Sequence, residues 1–223
     1  NQHGQYESIA HTIPAAHRFV IERHKRPIHW IAHSWGGVLM ASALIRSPEL
    51  SPDIASQTWF GTKRSIRVWN FERLYKVELI WKRLAPLYAR YKGYFPFKEL
   101  GLGADNESYL SISESAQWVH NRPWIDPRDQ FDYGSRAKDI KWPPIWSIAA
   151  KNDTILGNPS DVEDFLAEVG QGKLTLLSKD NGNAQDYDHI NMLTHSDAVH
   201  DHFVQIAQFL QANETSSHAI LNE

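Results

Sequence analysis

Apolar positions along the chain follow two rhythms that alternate. Over residues 8–26, Ile9, Ile13, Ala16, Phe19, Val20 and Ile21 fall roughly on one face at helical spacing, with Pro14 and a polar start loosening the first turn. Residues 27–32 are a short apolar run after a proline, which predicts a buried strand. His33-Ser34-Trp35-Gly36-Gly37 follows with no loop between. Val38, Leu39, Ala41, Leu44 and Ile45 then carry a helical period that stops at Ser47-Pro48. The local order is strand, sharp turn, helix.

The same alternation resumes twice. Residues 55–60 and 144–149 read as strands. A helix is predicted from Ser160, with Glu163 three residues on as a capping box. Residues 173–177 read as a further strand, 178–188 as a polar loop, and 190–210 as one final amphipathic helix. Strands alternating with helices at this pace predict an α/β fold: a mostly parallel sheet covered by helices on both faces. Residues 61–140 break the pattern. They lack strand alternation, and Leu74, Val77, Trp81, Leu84 and Tyr88 recur at helical steps, with Pro86 expected to kink or divide that helix. The division predicted is a core of residues 1–60 and 141–223 with a helical lid, 61–140, inserted between its parts.

Composition narrows the function. A formal net charge of −3 argues against a nucleic-acid partner held by bulk charge. With no cysteine, disulfide and thiol chemistry are excluded. No apolar run is long enough to span a bilayer. No signal-peptide pattern is visible, and a cytoplasmic location is the expectation. The histidines lack clean ligand spacing with carboxylates, so neither a metal nor another cofactor is expected.

The chemistry concentrates at Ala32-His33-Ser34-Trp35-Gly36-Gly37, which is close to the G-x-S-x-G pattern of a nucleophile elbow. A serine at the tip of a tight strand-to-helix turn needs small residues two before and two after it. Gly36 meets that demand fully, and Ala32 meets it with one extra methyl. The helix that begins behind Ser34 points its positive end toward the site, and the Trp35 backbone N–H is placed to donate to an oxyanion. A serine hydroxyl also needs a base, and the base needs an orienting acid. In this arrangement they follow in the chain order serine, acid, histidine, at the ends of successive strands. Asp153 follows the strand ending near Ala149, and His189 follows the loop after the strand ending near Leu177. The rivals fit other roles. Asp161 and Asp164 look like first-turn helix residues, and Asp188 is too close in sequence to face His189. His195, His200 and His202 fall within the final helix pattern, and His33 packs near the site.

These segments resemble the α/β-hydrolase superfamily, in its serine esterase, lipase and aminopeptidase branch. The elbow resembles G-H-S-x-G-G, Ala149-Ala150-Lys151-Asn152-Asp153 resembles the segment bearing the acid, and Asp188-His189-Ile190-Asn191-Met192-Leu193 resembles G-H-x-x-M-L. The resemblance implies a helical lid after the sixth strand and a carboxylic-ester hydrolase, with an amidase, a peptidase or an acyltransferase as alternatives on the same triad. A non-catalytic binding protein that retained the fold is a further alternative. Asn1-Gln2-His3-Gly4-Gln5-Tyr6 resembles the loop after the fourth strand. On that reading the earlier strands are missing, and so is the loop with the second oxyanion donor. The 223 residues are then the larger part of a roughly 300-residue enzyme, and are expected to be poorly stable and inactive alone.

The lid leaves two questions open. Its aromatics, among them Trp69, Phe71, Tyr75, Trp81, Trp118, Trp124 and Tyr133, suit either an apolar site for an acyl or aromatic ester or simply a lid core. Its basic residues, Lys63, Arg64, Arg67, Arg73, Lys76, Lys82, Arg83, Arg90 and Lys92, suit either an anionic lipid surface or acidic substrate group, or a solvated helix face, the reading favoured here. The expected partner is a small ester or lipid-like molecule.

Overall fold

The computed structural model describes residues 3–69, 74–100, 106–120 and 123–220. Phe71, Glu72 and Arg73 lie outside these residues, as do the side chains of Leu74, Tyr75, Lys76, Val77 and Lys82.

The first helical stretch starts earlier than its apolar period, at Gln5. It runs through a π-helical turn, Ser8–Thr12, into α1 (Ile13–His24), with Pro14 at the start of α1 where its missing N–H is harmless. Lys25 closes it in the left-handed conformation, φ 54°. Strand β1 (Ile28–His33), helix α2 (Trp35–Arg46) and strand β2 (Ile54–Phe60) follow as predicted. Within residues 61–140, a π-helical segment, Leu74–Leu84, turns into α3 (Ala85–Lys92) with Pro86 in its first turn, so the proline divides the helix by changing its winding. The same stretch holds a small antiparallel pair that the pattern did not show, β3 (Tyr94–Phe95) with β4 (Glu107–Ser108), and then helix α4 (Tyr109–Val119). The core resumes with β5 (Ile145–Ala150), α5 (Pro159–Val169), β6 (Lys173–Leu177) and α6 (His202–Ile220).

The four core strands pair in the order β1-β2-β5-β6, all parallel. The two central strands, β2 and β5, are buried along their whole length. One face of the sheet carries Trp59 and Ile145 against α2 and α5, whose Val38, Ala41, Leu44, Phe165 and Val169 join the same cluster. The other carries Phe60, Trp146 and Ile148 against Ile206 and Phe203 of α6. This is the alternation of side chains on successive strand residues, read onto two helical layers.

Two predicted details are corrected. Helix α5 begins one turn-residue pair earlier than a Ser160 cap: Asn158 is the N-cap, its Oδ1 accepting from Ser160 N at 3.1 Å, and Pro159 fills the first position. The single helix over 190–210 is instead a short helix Asn191–Thr194, a 3-10 turn Ser196–His200, and α6. The His195 side chain accepts from Asp197 N at 3.2 Å and restarts the chain there, so a local side-chain bond competes with the helix ladder.

Several aromatics of residues 61–140 fill cores. Trp118, Trp124 and Tyr133 pack with one another and with Phe165 of α5, while Phe95, Phe97 and Ile112 form a second cluster with Trp81 against it. Arg46, at the end of α2, ties this region down. Its guanidinium donates to Asp126 at 2.9 Å, to Asp129 at 2.7 Å and to Tyr133 Oη at 2.8 Å. Asp126 is buried, so Arg46→Met leaves a carboxylate short of its cation. The expected loss is about 3 kcal/mol, checked as a thermal midpoint lowered by roughly 10 °C.

Candidate active site

Every predicted site residue sits at the C-terminal end of the parallel sheet. Ser34 follows β1 directly, and its N–H donates to Phe60 O of β2 at 2.7 Å, extending the strand ladder by one bond. Its backbone, φ 53° and ψ −126°, is a conformation that an L side chain rarely takes. That strain is what turns the chain sharply from strand into helix and holds the serine at the tip. The steric demand of the elbow falls differently from the pattern. A Cβ at Gly36 would stand 3.9 Å from the Ala32 methyl, an ordinary contact, whereas a Cβ at Gly37 would lie 2.3 Å from Thr62 Oγ1. Ala32 therefore fits without crowding the turn, and Gly37 is the elbow position where no side chain fits.

Asp153 and His189 are brought together. His189 Nδ1 and Asp153 Oδ2 are 2.5 Å apart, and the two residues are 8% and 3% exposed. Backbone bonds stitch their loops: Lys151 N donates to Leu177 O at 3.1 Å and Asn152 N to Tyr187 O at 2.8 Å. The histidine loop is braced from behind by Asp201, which accepts from Asn183 at 2.8 Å, Ala184 N at 2.9 Å and Tyr187 Oη at 3.0 Å. Burial and that acceptor push the Tyr187 phenol up to about 12, so it stays a donor.

Ser34 is brought alongside rather than into a bond: among the described residues its Oγ makes no hydrogen bond to His189. The link between them is His33. Its Nε2 lies 2.9 Å from the His189 carbonyl oxygen, and the two imidazoles stand 4.5 Å apart. Burial first, and then the neighbouring His189, push the His33 pKa down, so His33 is the neutral donor of that bond. The rivals take other roles. Asp188 Oδ1 accepts from Ile190 N at 2.9 Å and Asn191 N at 2.8 Å, closing the turn after His189. Asp161 accepts from Arg67 N at 2.9 Å, and Asp164 from the Arg67 guanidinium at 2.7 Å. His202 lies buried against Met192 O at 2.7 Å.

One segment was read wrongly. Lys63 and Arg64, counted with the solvated basic face, are both buried. Lys63 is 5% exposed, with its ammonium 5.8 Å from the centre of the Trp35 ring. Desolvation pulls its pKa down to about 8 against the charges of Asp153 and Asp161. The signal was positional. Gly61-Thr62-Lys63 leaves β2 at the same end of the sheet as the three other site segments, and Gly61 has φ 55° with no room for a Cβ beside His189 Nδ1, at 3.0 Å. Among the described residues, no group of three or more histidine, aspartate or glutamate side chains is placed to hold a metal ion, and no helix is long and apolar enough to cross a membrane.

No family model matches the chain, and no curated protein matches it in sequence. Solved structures do match in shape. A monoglyceride lipase from Saccharomyces cerevisiae, in a soluble variant with a substrate analogue, superposes with a TM-score of 0.57 at 13% identity, covering 90% of this chain and 68% of that one. A monoacylglycerol lipase from Paleococcus ferrophilus gives 0.53 at 13% identity, covering 96% and 77%. A candidate non-heme bromoperoxidase from Mycobacterium tuberculosis gives 0.56 at 14% identity, covering 96% and 76%. The chain has the α/β-hydrolase fold.

Proposed function

We propose that this chain is a serine hydrolase that cleaves a carboxylic ester through an acyl-enzyme. The observation that carries the reading is the buried Asp153–His189 hydrogen bond, 2.5 Å, at the strand ends beside a serine in a strained turn. The lipases among the structural neighbours support hydrolysis at a coarse level.

In this mechanism Ser34 Oγ attacks the acyl carbon and His189 takes its proton at Nε2. Asp153 holds the imidazole at Nδ1 and stabilises the cation that forms. The oxyanion collects at the start of α2, where the Trp35 N–H, in the first turn, has no acceptor within the helix and the helix dipole favours negative charge. His189 returns the proton to the leaving alcohol, and water attacks the acyl-enzyme by the same route in reverse. Serine-directed hydrogen-bond geometry commonly tightens only when substrate is bound, which fits a Ser34 that is adjacent but unbonded. The test is covalent labelling by a neutral fluorophosphonate read by peptide mass spectrometry. The adduct is expected on Ser34 and absent from Ser34→Ala; a folded protein with no adduct would turn the reading toward a binding protein.

The lid supports a lipid-like substrate. Leu84, Leu87, Tyr88 and Tyr91 recur along α3 and its N-cap at three- and four-residue steps and face outward, Leu87 69% and Tyr91 85% exposed, while Ala85 and Ala89 face in. Arg83, Arg90 and Lys92 flank them with no acidic residue between positions 79 and 98. An apolar stripe with cationic neighbours matches an anionic lipid surface. Leu87→Glu is expected to weaken co-sedimentation with phosphatidylserine vesicles by roughly tenfold or more, and unchanged sedimentation would remove the membrane from the proposal.

A further inference from the structure

Three features of the loop after β2 converge. Gly61 lies against His189, at a distance that excludes even a methyl. Thr62 lies against Gly37 of the elbow, and its buried Oγ1 has no hydrogen-bond partner. Lys63 reaches the ring of Trp35, the residue whose N–H would hold the oxyanion. The loop therefore runs from the base to the nucleophile's turn, and it carries a lysine that the ester-cleaving steps do not use.

Lys63 is the unusual one. A buried lysine is costly unless it is paired, because its charge has lost its water. Among the described residues Lys63 forms no ion pair and no hydrogen bond; the ring of Trp35 is its one close electrostatic contact. The carboxylates whose charge it feels are otherwise engaged. Asp153 is bonded to His189, and Asp161 holds the Arg67 backbone, its pKa pushed up by burial. At neutral pH the ammonium is still largely protonated, with its pKa near 8. A cation so placed has no anion in contact with it, and it stands beside Trp35 at the end of the sheet where the proposed reaction would take place.

We infer that Lys63 forms a subsite for a negatively charged group on the substrate, so that the preferred esters carry a carboxylate a few bonds from the scissile bond. This rests on the ester-hydrolase reading above and adds to it a substrate class. The carboxylate would accept from the ammonium, supplying the anionic partner it lacks. Recognition by a desolvated cation is discriminating, because a neutral ester leaves the buried charge uncompensated.

The experiment uses two ester pairs, since the charged group could sit on either side of the bond. The monoaryl ester of adipic acid is compared with its methyl ester for the acyl side, and 4-acetoxybenzoate with its methyl ester for the alcohol side. The wild type is expected to favour the charged member of one pair at least tenfold in kcat/KM. Lys63→Met is expected to cut that preference at least tenfold, and Lys63→Arg to retain part of it. No preference in either pair, or an equal fall on both members in Lys63→Met, overturns the subsite. Fluorophosphonate labelling of Ser34 in each protein separates the two failures. All assays use the folded full-length protein: a labelled wild type that cleaves neutral esters without preference defeats the subsite alone, and a folded wild type that is neither labelled nor active defeats the hydrolase reading and the subsite with it.

Discussion

Ser34→Ala is expected to lower kcat for ester hydrolysis by about 10⁶, the scale found when the nucleophile of a triad is removed. No neighbouring hydroxyl or thiol can replace it: the chain has no cysteine, and the nearby Thr62 Oγ1 is buried against Gly37 behind the turn. The substitution removes one oxygen at a position whose φ of 53° is set by the surrounding turn. The fold is therefore expected to survive, with a thermal midpoint close to that of the wild type, so that lost turnover in a folded protein reports chemistry. Retention of more than a hundredth of the wild-type rate would show that the nucleophile lies elsewhere.

The second large effect is expected from Asp153→Asn, about 10⁴ in kcat. The carboxylate accepts at 2.5 Å from His189 Nδ1, which fixes the tautomer with its free lone pair on Nε2, toward the serine. An amide at the same place can present its NH₂ to Nδ1 and so favour the opposite tautomer, with the proton on Nε2 where the base must be vacant. The shape of the site is nearly unchanged, and substrate binding should be spared: kcat falls while KM moves little. A parallel fall in fluorophosphonate labelling rate would confirm that the serine has lost its activation. If Asp161→Asn gave the same loss, the assignment of the acid would be wrong. Its contacts to the Arg67 backbone predict instead an effect on stability.

The core was legible where local and long-range demands agree. The apolar run before Ser34, the turn and the apolar helix after it are read from neighbouring residues, and the parallel pairing simply lays the strand ends side by side. Asp153 and His189 could be found because chain order and strand ends limit where partners can be. What escaped was decided by contacts distant in sequence. Periodicity gives Lys63 no sign of burial; only its place at the end of β2 does, and the groups it meets, the ring of Trp35 and the charges of Asp153 and Asp161, belong to distant segments. The cap at Asn158 was misread because Ser160 and Glu163 also satisfy a capping pattern, while the Asn-Pro step was the stronger signal. The break before α6 depends on side-chain bonds from His195 and to Asp201, and helical periodicity alone runs straight through it.

The stretch that leaves β2 carries a consequence for motion. Arg64 grips Glu168 with two nitrogens, at 2.5 and 2.7 Å, and Arg67 is held by both its backbone and its guanidinium to Asp161 and Asp164. All three carboxylates belong to α5, the helix that follows the acid loop. The first seven residues after β2 are thus fastened to the core. The stretch from Gly61 to Arg67 is a fixed doorframe beside His189, and a molecule that reaches the histidine has to fit it as it stands.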